Sequence, residues 1–162
     1  LYKIYESKDT LILNSVRSYF EEIGEEESIV APGLDRLLYR LELIGNFFEN
    51  APKLGEGVSR LLFQSDASDL STQVLLRNAF QARSIALVEM IDIGQLSKPE
   101  DPDLLARTLV SITWGTVLFH QRGELGSDDV ARELVRESIA VLLPYAATPK
   151  IKRRMIKLIE PG

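Results

Sequence analysis

Leu1-Tyr2-Lys3-Ile4-Tyr5-Glu6-Ser7-Lys8-Asp9-Thr10-Leu11-Ile12 reads as a compact turn between two helices. The aromatic, basic run from Leu1 to Tyr5 has the character of a helix end that belongs to a longer element, so further chain is expected before it. Ser7 supplies a side-chain oxygen able to cap free helix amides, and Asp9 places an anion in the first turn, so a helix is expected from Ser7 or Lys8. The hydroxyl of Tyr2 and the ammonium of Lys8, drawn together by the turn, are donors that a phosphate oxygen accepts, and the helix-start amides add partial positive charge. The plainer alternative packs Tyr2 and Tyr5 between helices and leaves Lys8 in water.

From Ser7 to about Gly24, Ile12, Val16, Tyr19, Phe20 and Ile23 recur on one face of a helix. The acidic residues Glu21, Glu22, Glu25, Glu26 and Glu27 lead into a loop ending at Ala31-Pro32-Gly33, and solvated carboxylates are expected there rather than a cation site. A second helix spans about Pro32 to Asn50 and is apolar on most sides, which predicts a central position. Ala51-Pro52 breaks it and opens a short third helix to about Gln64, which Gly55 and Gly57 should loosen. Asp69 to Gly94 forms one helix, about 39 Å long at 1.5 Å per residue.

Asp101-Pro102-Asp103 is the best helix start in the chain: an N-cap, a first-position proline and a first-turn carboxylate. That helix runs to about Arg122, and Gly115 inside it suggests close approach of another backbone or of a ligand. Gly123 and Gly126 close it, Ser127 caps the next helix as far as about Tyr145, and Thr148-Pro149 opens a last one. Lys150, Lys152, Arg153, Arg154 and Lys157 form its basic side, expected to be a solvated outer face rather than a membrane or nucleic-acid surface. No stretch alternates as strands do, so the fold class is all-α.

The 162 residues, 45% hydrophobic, suffice for one well-buried domain. With no Cys and His120 as the single His, disulfides, thiolate zinc sites and histidine metal clusters are excluded. A net charge of -5 argues against this segment gripping nucleic acid by itself. No apolar run nears the ~20 residues a bilayer crossing needs, so a cytoplasmic protein without membrane contact is expected. Nucleophile-and-base chemistry has no motif around His120, and Glu-x-x-His pairs are absent, so no enzyme and no cofactor is expected.

Set out as L-Y-x-x-Y-x-S-K-D-x-L, the opening resembles the junction in TetR-family transcriptional regulators where the recognition helix ends and the helix joining both domains begins. Gly94-Gln95-Leu96 followed by Asp101-Pro102-Asp103-Leu104-Leu105-Ala106-Arg107 is similar to that family's junction between its seventh and eighth helices. The resemblance implies that residues 1–6 are the remnant of a helix-turn-helix DNA-binding domain preceding Leu1, and that 7–162 form a ligand-binding and dimerisation domain. It implies operator DNA as a partner, with Tyr2 and Lys8 on phosphate, and a repressor released by a small, mostly apolar effector. The implied pocket is lined by Phe47, Phe63, Phe80 and Trp114 with Arg77 or Arg83 as polar anchors, although each aromatic alone is also explained by core packing. The implied homodimer forms through the family's eighth and ninth helices, here carrying Leu109, Trp114, Leu118, Leu134 and Leu142. The competing reading is a structural or adaptor helical-bundle dimer without DNA binding, which leaves the opening motif unexplained.

Overall fold

A computed structural model describes residues 8–64, 70–125 and 129–161, so Tyr2, Tyr5, Ser7, Asp69, Gly126 and Ser127 lie outside the described residues. The helices are α1 (Lys8–Glu27), α2 (Leu34–Asn50), α3 (Pro52–Gln64), α4 (Leu70–Asp92), α5 (Pro102–Gln121), α6 (Val130–Leu142) and α7 (Pro149–Ile159), with a 3-10 turn at Leu143–Tyr145 before α7. Among the described residues the β pairing is confined to an isolated bridge between Leu96 and Ala146. The all-α class holds.

Local chemistry sets most of the boundaries. The Asp101 side chain accepts from the Leu104 N–H at 2.8 Å ahead of Pro102, and Thr148 accepts from Ile151 N–H at 3.2 Å ahead of Pro149. Asp129 caps α6 by accepting from Arg132 N–H at 2.8 Å. The start of α2 has a cap from far along the chain: Gly33, at a φ of 95°, comes so close to Gln95 that the Gln95 Oε1 accepts from Leu34 N–H at 2.7 Å. Gln95 therefore joins the end of α4 to the head of α2. The acidic run is helical rather than looped, since α1 continues through Glu27.

Two apolar clusters share the long helices. One gathers Val16, Ile23, Ile44, Phe48, Val58, Trp114, Val117 and Leu134, the other Leu34, Leu41, Leu87, Met90, Leu109, Ile139, Leu142 and Met155, and Phe80 packs partly buried against both. α2 contributes to each, and its contact with α6 is the most extensive in the fold, followed by that of α4 with α5. α1 makes smaller contacts, divided among α2, α3 and α4.

The glycines depart from expectation. Gly115 has open space where a side chain would stand, so no other helix of this chain packs against it. The close approach is at Gly45, where an added Cβ would lie 2.2 Å from Ala131 Cα, so the α2–α6 contact depends on a missing side chain. Gly55 and Gly57 are buried and let α3 approach Gln121 and Ile12, each 2.8 Å from where a Cβ would be, so they serve packing rather than looseness.

Gly45→Ala is expected to lower unfolding free energy by about 1–3 kcal/mol through overpacking. Gly24→Ala, in open space on α1, should raise it by about 0.5–1 kcal/mol through helix propensity. Urea denaturation of the two variants checks both signs.

Candidate functional site

Arg83 sits mid-way along α4 with the small residues Ala79, Ala82 and Ala86 on the same side of the helix. Three alanines leave a recess that no large side chain fills. The side chain is carried inward, and Arg83 as a whole is 3% exposed. Around it, Phe20 of α1, Arg40 and Ile44 of α2, Ala79 and Ala82 of α4, and Val110, Thr113 and Trp114 of α5 enclose a cavity of about 20 Å³. Two adjoining hollows extend it. One, of about 90 Å³, shares Phe20, Arg40 and Ala79 and opens past Arg17, Glu21 and Asn78; the other, of about 150 Å³, shares Arg40 and Ala82 and opens past Gly24, Arg36 and Glu89.

The walls are aromatic and ordered by contact. Phe20 is tilted against Trp114 at a centroid distance of 6.1 Å, and Phe48 meets Trp114 edge-on at 5.9 Å. Arg83 Nη2 donates to Thr113 Oγ1 at 3.1 Å, and Thr113 in turn donates to Leu109 O at 3.1 Å. Arg40 pairs with Glu27, and Arg36 with Glu89 at 2.7 Å. The Nε atoms of Arg83 and Arg40 and the Nε1 of Trp114 are buried without a hydrogen-bond partner. Buried donors left in this condition are uncommon and expensive.

Charge burial shows in the protonation equilibria. Burial, reinforced by the neighbouring Arg40 charge and opposed by Glu27, pushes Arg83 down to about 9, which leaves it a cation at neutral pH. Burial likewise lowers Arg40 against the favourable pull of Glu27, and raises Glu27 against the pull of Arg40, Arg83 and Arg36.

Of the pocket residues expected from sequence, Trp114 and Arg83 come together here. Phe47 does not join them: its face is stacked on Tyr19 at 3.9 Å, and the Tyr19 hydroxyl donates to Leu43 O at 2.9 Å. Phe80 lies between the two apolar clusters. Arg77 points to solvent, and Phe63, 58% exposed, borders a separate polar groove with Ser59, Leu118, Gln121 and Arg122. Lys8 is exposed at the start of α1, and Tyr2 lies outside the described residues.

The residues expected at the dimer interface lie mostly inside the fold. Leu109, Trp114, Leu134 and Leu142 are buried inside one chain, so their surface is already covered, and Leu118 is half-buried beside Phe63's groove. Sequence reasoning missed Arg40, Glu27 and Thr113. Arg40 had a signal, a charge inside the apolar Leu37-Leu38-Tyr39-Arg40-Leu41 run; Glu27 was hidden among carboxylates that are solvated.

Among the described residues no group of three His, Cys, Asp or Glu could hold a metal, and no helix is long and apolar enough to cross a membrane. The chain matches no protein-family model, no curated protein and no solved structure.

Arg83 imposes a cost on the fold that an apolar side chain would not, so Arg83→Met is expected to stabilise the protein by about 1–3 kcal/mol at pH 7. Because the folded value near 9 lies below that of an ordinary guanidinium, the unfolded state binds more protons between those limits. The cost is then full below about pH 9 and falls as pH rises. Urea titrations at pH 7 and pH 10 should show the variant's advantage shrinking at the higher pH.

Proposed function

We propose that the chain is the regulatory part of a TetR-like DNA-binding transcription regulator, a repressor that a small effector releases from operator DNA. The observation that carries the proposal is the course of α1. At about 1.5 Å per residue this helix is about 30 Å long, and its first turn follows directly on the opening motif. Its far end supplies Phe20, Gly24 and Glu27 to the recess around Arg83 and its two adjoining hollows. One rigid element thus runs from the segment resembling a DNA-head junction to an internal cavity.

The start of α1 is tied to α3 by the Asp9–Arg60 ion pair at 2.7 Å, and Gly57 seats Ile12 against α3. A shift of α1 at the recess would therefore be felt by α3 as well. In the proposed regulator the DNA-binding head precedes Leu1, and two heads are held at fixed spacing by a dimer, as half-sites one DNA turn apart require.

The dimer face that suits this is the outer side of α5 beside α6. Leu104 and Phe119, each 54% exposed, stand at its two ends, with Thr108, Ser111 and Gly115 between them. Thr108 and Ser111 donate their hydroxyls back to Leu104 O and Arg107 O, so this face is small and internally satisfied. A second helix can approach it closely.

The full-length protein is expected to sediment as a dimer at micromolar concentration and to bind operator DNA with an affinity that saturating effector lowers roughly 5- to 150-fold, the range of ordinary allosteric coupling. An operator affinity that is the same with and without effector defeats the switch, and a monomer without operator binding leaves the adaptor-bundle reading.

A further inference from the structure

Every charged side chain facing the recess and its two adjoining hollows, save Arg83, can be paired off. From α1, Arg17 pairs with Glu21 at 3.8 Å and Glu27 with Arg40 of α2; from α2, Arg36 pairs with Glu89 of α4. α5 contributes the uncharged Val110, Thr113 and Trp114. Among the described residues Arg83 alone of these arginines has no carboxylate within ion-pair distance, and it is the most deeply buried of them. One positive charge is left over.

The leftover charge coincides with leftover donors. Arg83 Nε, Arg40 Nε and Trp114 Nε1 lack partners, and all three residues line the same cavity. At about 20 Å³ the cavity has room for a single water. A water offers two lone pairs and no charge, so it leaves at least one donor unmet and the guanidinium uncompensated. A carboxylate offers about four acceptor sites in a plane, matches a guanidinium edge and cancels one charge.

We propose that this recess binds a small organic monoanion, a carboxylate on an apolar chain or ring, with the carboxylate on Arg83 and the apolar body between Phe20, Trp114, Ile44 and Val110. The proposal rests on taking this recess as the effector site. It deepens that reading by naming the ligand's head group, which a mostly apolar lining alone does not supply. A dianion such as a phosphate monoester would overcompensate the single spare charge. An amine would meet Arg83 with the wrong sign, and an alcohol would leave that charge in place. The body needs more room than the present cavity has, and the hollow past Arg17, Glu21 and Asn78, about 90 Å³ and sharing Phe20, Arg40 and Ala79 with it, lies next to it. Entry there separates α1 from α4.

The protein carries its own reporter, because Trp114 is the single Trp in the chain and forms the wall of the recess. Octanoate and phenylacetate, with octanol, phenylethanol, octylamine and phenylethylamine as matched uncharged and cationic probes, are titrated against Trp fluorescence in the whole chain. At least one acid is expected to saturate the signal and to bind about tenfold or more tighter than its matched alcohol and amine. Arg83→Met should remove that preference while remaining folded by circular dichroism, and Arg77→Met, on the solvent side of the same helix, should keep it. Equal binding of acid and alcohol, saturable binding of neither acid, or an undiminished preference in Arg83→Met overturns the proposal. Acid binding that leaves operator affinity untouched counts against the regulator and leaves the anion site standing.

Discussion

A guanidinium buried in the core, with no carboxylate within ion-pair distance among the described residues, is the constraint on which the rest of this structure turns. Taking a charge out of water costs several kcal/mol after all relaxation, and Arg83 recovers only one hydrogen bond, to Thr113. The fold accommodates the charge by surrounding it with structure that holds its position. The Trp114 and Phe20 rings cover it, the Arg40–Glu27 pair stands beside it, and three alanines of α4 keep large side chains away from it. A sequence shaped for stability alone would place an apolar residue at 83, so the site trades stability for something else. The proposed recognition of an anion would account for the sign of the charge, the three idle donors and the cavity together.

The remaining architecture divides into a fixed side and a yielding side. α2 and α6 meet backbone to backbone at Gly45 and Ala131, and α7 closes that side through Met155, which is fully buried. Across from them α1 spreads smaller contacts over three neighbours and borders the recess and both adjoining hollows. A ligand that needs room can displace α1 far more cheaply than it can part α2 from α6. In the proposed regulator the same asymmetry would give direction to the signal, from the cavity to the helix whose other end follows the opening motif.

Much of the fold was legible because its signals are local. Asp101-Pro102 and Thr148-Pro149 name their helix starts by themselves, and Pro52 begins α3 at the residue expected. What was hidden depends on partners distant in sequence. The Gln95 side chain capping Leu34 has no trace in either segment, and nothing near Gly45 announces Ala131. For the site, α4 is apolar on most sides, so no stripe distinguished its inward arginine; Arg77 and Arg83 differ by six residues, about 120° around the helix, and only one points in. Aromatic content misled for the same reason, since Phe47, Phe63 and Trp114 are alike in sequence but stacked, exposed and pocket-lining in the fold.

Amide hydrogen exchange along α1, compared with α6, tests the central claim that a ligand at Arg83 acts through α1. With a saturating carboxylate ligand, exchange should change from Phe20 to Glu27 while the α6 amides from Leu134 to Leu142 keep their rates. Equal changes in both helices, or a ligand-bound protein with α1 exchange unaltered, would contradict it.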